Sequence, residues 1–158
     1  MKSQSPDDKA HRESSIEGCR ILRLPTIPLS MPAPAAMATI AENGDGLPFE
    51  IKRVFYVYDL PADSERGGHS HYRHQELLVA AAGSVDVVLN DGATTRTVHL
   101  DRPWQALLLT AGVWRVLNNF SAGSILLALA SDPYSEDDYV RDYNEFLRLT
   151  ASKRNKSE

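Results

Sequence analysis

The segment RGGHSHYRHQELLVAAAG, Arg66–Gly83, decides how this chain is read. It opens on a glycine pair, passes through His69-Ser70-His71, and runs into an apolar stretch that stops at Gly83. In a strand, residues i and i+2 share a face, so His69 and His71 can converge on one point. His74 is out of phase with them by an odd step and is not expected to join them. Outward from this segment the texture repeats. Phe49–Leu60, Gln75–Ala82, Ser84–Asn90, Thr94–Leu100, Trp104–Thr110, Gly112–Leu117 and Ser124–Ser131 are short, β-branched or apolar runs that read as strands. They are punctuated by Pro61, Gly67-Gly68, Gly83, Asp91-Gly92, Asp101–Pro103 and Ala122-Gly123. Asn90-Asp91-Gly92 is a hairpin signal. Many short strands at this spacing give an all-β sandwich or barrel.

Only the end of the chain reads as helix. Ser135 is placed to cap it, Asp138 follows three residues later, and Tyr139, Tyr143 and Phe146 fall on one helical face. Beyond Leu149 the polar ending is expected to fray. Six of the nine prolines lie in the first 48 residues, so that region reads as an irregular arm with one or two edge strands, and residues 1–18 as loosely attached. The division expected is therefore an arm over 1–48, a barrel domain over 49–149 and a polar tail over 150–158.

The chain has 158 residues, with 17 Lys and Arg against 21 Asp and Glu, a net charge of −4. This balance argues against a protein that coats nucleic acid. It leaves room for a small anionic ligand held by a few arginines. A single cysteine, Cys19, excludes an internal disulfide and fits a reducing cytoplasm. The first twenty residues carry scattered charges and no apolar run of the kind a signal peptide needs. Ile21–Ile40 is fairly apolar, but it contains Arg23 and four prolines, so a membrane span is rejected.

Chemistry concentrates around the histidines. Their ring nitrogens titrate near neutrality, which suits general acid–base work. Arg53 lies on the inward face of its strand, where a charge is expensive unless paired; it is either satisfied by a carboxylate or reserved for a phosphate or sugar. Arg66, just before the glycines, is placed to clamp an anion. Trp114 can stack on a flat base or sugar, or fill the core. His99 is expected to face solvent, and Cys19 has no nucleophile context.

The spacing His-x-His-x4-Glu-x6-Gly, formed by His69, His71, Glu76 and Gly83, is the first signature of the cupin barrel. The stretch matching the second signature, Thr110–Asn119, has Thr110 in place of the proline and Arg115 in place of the histidine. His69, His71 and Glu76 could hold zinc or iron. Arg115 sets a cation beside them, so no metal and no cofactor are expected.

Taken together, FEIKRVFYVYDL, RGGHSH, GSVDVVLNDG and LASDPYSEDDYVRDYNEFL resemble the cupin sugar 3,4-ketoisomerases, over roughly Leu47–Leu147. The resemblance implies a double-stranded β-helix, or jelly-roll barrel, with a short C-terminal helix. It implies a metal-free homodimer acting on dTDP-4-keto-6-deoxyglucose in deoxysugar biosynthesis. His69 and His71 would be the catalytic pair, moving a proton between C3 and C4 through an enediol-like intermediate. Arg53 and Arg66 would contact the nucleotide diphosphate or fix the sugar, with Glu76, Trp114 and Arg115 as further substrate-binding candidates. The sequence departs from the family at Arg115 (usually His), Glu76 (usually Gln) and Phe55 (Tyr in many members). The charged Asp-x-Arg-Gly segment of the family's arm is also missing; Pro34–Ile40 stands there without a charge. The alternatives are a non-catalytic sugar-nucleotide binding cupin and a metal-dependent cupin using His69, His71 and Glu76.

Overall fold

The computed structural model describes residues 16–29, 36–44 and 46–157. The readings made for residues 1–15 and for Pro34 and Ala35 lie outside the described residues. The elements are β1 (Arg20–Arg23), β2 (Thr26–Pro28), β3 (Met37–Thr39), β4 (Arg53–Val57), β5 (Arg66–His71), β6 (Glu76–Ala82), β7 (Val85–Asn90), β8 (Thr95–Leu100), β9 (Gln105–Leu109), β10 (Trp114–Asn118), β11 (Ile125–Ala130), β12 (Tyr139–Val140) and α1 (Tyr143–Asn155).

Two five-stranded sheets face each other, in the orders β1-β9-β6-β11-β4 and β12-β5-β10-β7-β8, and β2 pairs with β3 in a separate hairpin. Consecutive strands thus alternate between sheets along most of the chain, as in the expected jelly roll. Alternation fills the space between them. Leu78, Ala80, Val87, Leu89, Leu107, Leu109, Leu117 and Leu126 are buried in one cluster. The opposite face of β6 and β9 is also apolar: Leu77, Val79, Ala106 and Leu108 pack with Leu22, Leu24 and Leu47 of the arm and with Phe49 and Ile51 that follow it. Phe49 and Ile51 therefore do not share Arg53's face as strict alternation predicts, because β4 begins only at Arg53.

Three expectations change. Ile16, placed by the sequence in a loose end, is 2% exposed and closes the core beside Cys19. Ser135 makes no side-chain cap; a single 3-10 turn, Glu136–Asp138, is followed by β12. That strand satisfies the open edge of β5, pairing Tyr139 with His71 and Val140 with Ser70, which a helix could not do. The true cap is Asp142, whose Oδ1 accepts from the Glu145 amide at 2.7 Å. Finally, α1 runs past Leu149 to Asn155. Lys153 and Arg154 complement its C-terminal dipole, and Arg154 Nη2 donates to the Asp91 carbonyl at the hairpin turn.

The glycines before the histidines have a structural task. β10 pairs Arg115 with His69 but Leu117 with Arg66, so β5 holds one extra residue there. Gly67, at φ +87°, supplies the left-handed backbone of this bulge. The bulge turns Arg66 and His69, three residues apart, toward the same cavity.

Candidate active site

His69 and His71 lie on β5 with ring centroids 4.9 Å apart and planes perpendicular. Tyr139, delivered by β12, packs on both, at 4.8 Å from His69 and 4.4 Å from His71. Its ring borders two hollows. One, of about 170 Å³, lies between the sheets and is lined by Arg66, His69, Glu76 and Arg115 among apolar side chains including Phe55. The other, of about 180 Å³, opens outward and is lined by Arg53, His71, Arg73, His74, Tyr134 and Asp138. A larger hollow of about 390 Å³, between α1, the β7–β8 turn and Ile16, contains none of the candidate residues.

Beneath the histidines is a buried polar cluster centred on Glu76, which is 5% exposed. Its Oε1 accepts from Arg115 Nη2 at 2.6 Å and from His74 Nε2 at 3.0 Å, and lies 3.5 Å from His71 Nε2. Burial alone would raise the Glu76 pKa. The Arg115 guanidinium, with the His74 hydrogen bond and the nearby His71 ring, holds it well below the carboxylate range instead. The same surroundings act oppositely on the imidazoles. Burial, then the charges of Arg115 and His71, lower the His69 pKa from 6.5 to about 3, with Glu76 opposing. Burial lowers the His71 pKa, and Arg115 and His74 add to this against the nearby Glu76 carboxylate. Both rings are therefore neutral, proton-accepting groups at neutral pH.

Arg53 is inward-facing as the alternation predicts, and among the described residues no carboxylate pairs with it. Its Nε is buried without a hydrogen-bond partner, and its guanidinium carbon lies 5.1 Å from the Phe55 ring and 5.6 Å from Tyr134. Arg66 is exposed at the mouth, its Nη1 donating to the Glu65 carbonyl at 2.8 Å.

Three candidates sit differently from expectation. Trp114 is not brought to the histidines. Alternation on β10 sends Arg115 inward and Trp114 outward, under α1, against Tyr143 at 5.1 Å and Phe146 at 5.5 Å. Glu76 lines the barrel cavity, but its Oε1 is engaged by Arg115 and His74. His74 belongs to the cluster after all: β5 ends at His71, so the period-two argument that dismissed it does not reach it.

Asp138 and Tyr139 were missed. Asp138, 5% exposed, accepts from the Arg73 amide at Oδ1 (2.9 Å) and from the His74 amide at Oδ2 (3.0 Å). Both were read as part of a helix start, and no local pattern distinguishes that from a two-residue strand.

The ligand atoms of His69, His71 and Glu76 lie within 4.8 Å of one another, close enough to share a cation. The donor set does not fit one. Glu76 Oε1 is already committed to Arg115 and His74, and the guanidinium would repel a divalent ion.

Residues 17–151 match the family described as FdtA, WxcM-like, C-terminal. The chain is 37% identical over 116 residues to the TDP-4-oxo-6-deoxy-alpha-D-glucose-3,4-oxoisomerase of Aneurinibacillus thermoaerophilus, covering 73% of this chain and 83% of that protein. It is similar to the crystal structure of a 3,4-ketoisomerase from Helicobacter canadensis, with 40% identity, a TM-score of 0.76, and coverage of 85% of this chain and 98% of the other. It is also similar to a mutant of the 3,4-ketoisomerase QdtA from Thermoanaerobacterium thermosaccharolyticum in complex with TDP-4-keto-6-deoxyglucose, with 28% identity, a TM-score of 0.82, and coverage of 87% and 96%. With a family match spanning most of its length and a jelly roll like theirs, the chain belongs to the FdtA, WxcM-like family, on the cupin-type barrel of the sugar 3,4-ketoisomerases.

Proposed function

We propose that this chain is a sugar 3,4-ketoisomerase of deoxysugar biosynthesis acting on a TDP-linked 4-keto-6-deoxyhexose, with His69 and His71 as its acid–base pair. The observation that carries this is the pair of neutral, perpendicular imidazoles 4.9 Å apart, bordered by arginines and by no committed metal ligand set. The isomerisation needs no redox partner. A base removes the C3 proton as O4 takes one, and an enediol forms across C3 and C4. C4 then takes a proton, and the O3 proton leaves as C3 becomes the ketone. One group must accept and another donate on neighbouring carbons, which is what two adjacent imidazoles supply. His69 lines the barrel cavity among the site's arginines, with His71 next to it on β5.

Arg53 and Arg66 hold the diphosphate. Arg53 favours this role because its buried Nε has no partner of its own. Arg115 and Glu76 border the sugar's space, with Arg115 the closer to a ligand. The reaction proceeds without metal or cofactor. The reducing cytoplasm, which its single cysteine suits, is the compartment we assign it. The working form is a homodimer. Val54 and Tyr56 on the edge strand β4, and Tyr58 just beyond it, are 57%, 61% and 58% exposed, an apolar stripe of the kind that subunits cover.

The test is incubation with TDP-4-keto-6-deoxyglucose in deuterated water, followed by NMR. A 3-keto product carrying deuterium at C4 is expected. Ligand binding without turnover or exchange would instead support a non-catalytic sugar-nucleotide binder.

A further inference from the structure

His71 is 2% exposed, and both of its ring nitrogens are buried without a hydrogen bond. Buried unsatisfied nitrogens are costly and call for an explanation. The surroundings supply one. Nδ1 lies 3.4 Å from Asp138 Oδ2, and Nε2 lies 3.5 Å from Glu76 Oε1. A carboxylate thus stands at each end of the ring, both slightly beyond hydrogen-bond length. The two differ in what else they do. Glu76 is drawn to Arg115 and His74 and lines the barrel cavity, where His69 lies. Asp138 lines the outer cleft and is pinned by two backbone amides, those of Arg73 and His74. Those amides belong to the turn leaving β5, and the strand pairing of Tyr139 with His71 fixes Asp138 against the same turn.

We propose that Asp138 is the positioning residue for His71, holding the imidazole with its Nδ1–H directed at the carboxylate and leaving Nε2, on the side of His69, to take and return the proton. The proposal rests on the acid–base role of His71 given above. When Nε2 gains a proton the ring becomes an imidazolium with two N–H groups, and each meets a carboxylate; when it returns the proton, only the Nδ1–H remains. Contacts of this kind are long in a free enzyme and shorten when substrate arrives. A carboxylate behind a catalytic imidazole sets its tautomer, which decides which nitrogen is available. The charged and titratable groups facing His71 are Asp138 and Tyr139 from the β12 segment, His69 from β5, His74 and Glu76 around the start of β6, and Arg115 from β10.

The test uses the full-length enzyme with 15N-labelled histidine, the His71 signals being assigned by their loss in His71→Asn. At neutral pH a protonated Nδ1 and a bare Nε2 are expected. Asp138→Asn, whose amide can donate toward Nδ1, is expected to move the proton to Nε2. It should lower kcat on the order of 10²-fold with KM little changed, and displace the pH–rate profile. A wild-type His71 protonated at Nε2 would overturn the proposal. So would an Asp138→Asn enzyme with an unaltered histidine spectrum and full kcat, or one in which KM alone rises. Should Asp138→Asn fail to fold, the wild-type spectrum decides by itself. Full turnover by His71→Asn would overturn the catalytic reading of that histidine, while the spectrum would still decide whether Asp138 sets its tautomer.

Discussion

Arg115 Nη2 and Glu76 Oε1 meet at 2.6 Å inside the barrel, with the two residues 3% and 5% exposed. Such a pair is not free stability, since both ions lose their hydration. It does make each partner depend on the other. Arg115→Ala leaves Glu76 buried with its main cation removed and is expected to destabilise the fold by about 3–5 kcal/mol. The double variant Glu76→Gln, Arg115→Met should recover much of that loss, measured by urea unfolding. A double variant as unstable as Arg115→Ala would show that the pair does not account for the cost.

The histidines make stability depend on pH, and the sign follows from their direction. The His69 pKa falls from 6.5 to about 3 on folding, chiefly through burial, then Arg115 and His71. Between these values the unfolded chain binds a proton that the folded protein refuses, so stability is full above 6.5 and is lost as pH falls toward 3. His71, also lowered, acts in the same direction. Glu76, held well below 4.5, adds a further loss below that pH. Thermal unfolding should show Tm declining from near pH 6.5 downward, less steeply in His69→Asn. A Tm constant down to about pH 4.5 would contradict the environment described.

Arg53 should bind rather than react. Replacing it by Lys keeps the charge but loses the planar fork suited to phosphate. KM for the nucleotide sugar is expected to rise on the order of tenfold with kcat nearly unchanged. An equal fall in kcat and in kcat/KM would instead place Arg53 at the reacting carbons.

Trp114 should matter for stability and not for substrate. It packs against Tyr143 and Phe146 of α1. Trp114→Ala is expected to cost about 3 kcal/mol in unfolding free energy, with KM unchanged at a temperature where the variant remains folded. A large KM effect at full foldedness would return Trp114 to the ligand.

The exposed stripe Val54, Tyr56, Tyr58 predicts its own cover. Equilibrium sedimentation should give a dimer, and Tyr56→Glu with Tyr58→Glu should shift it to monomer by burying like charges against each other. A wild-type monomer at micromolar concentration, or a dimer indifferent to both changes, would move the interface elsewhere.

Much of the barrel was legible because period-two burial writes itself into sequence. Val85, Val87 and Leu89 point in while Asp86, Val88 and Asn90 are less buried, and no tertiary knowledge is needed to see it. The same rule placed Arg53 on an inward face and His69 and His71 on one shared face, and the spacing from His69 to Gly83 matches the cupin signature. These are local properties, carried by the chirality and alternation of the strand itself.

The rest depended on which segments meet. Tyr139 and Asp138 reach the histidines only because β12 completes the edge of β5, a pairing over more than sixty residues that overrides a plausible helix start. His74 joins Glu76 because the chain turns after His71, and Trp114 leaves the site because α1 is present to receive it. Even the Glu76 charge state is a tertiary property. Burial and Arg115 act on it oppositely, and only the 2.6 Å approach of the guanidinium decides between them. The amino-acid sequence by itself determined the strand pattern of the barrel and the shared face of the two histidines; the folded chain decided which carboxylates, cations and aromatic rings surround them.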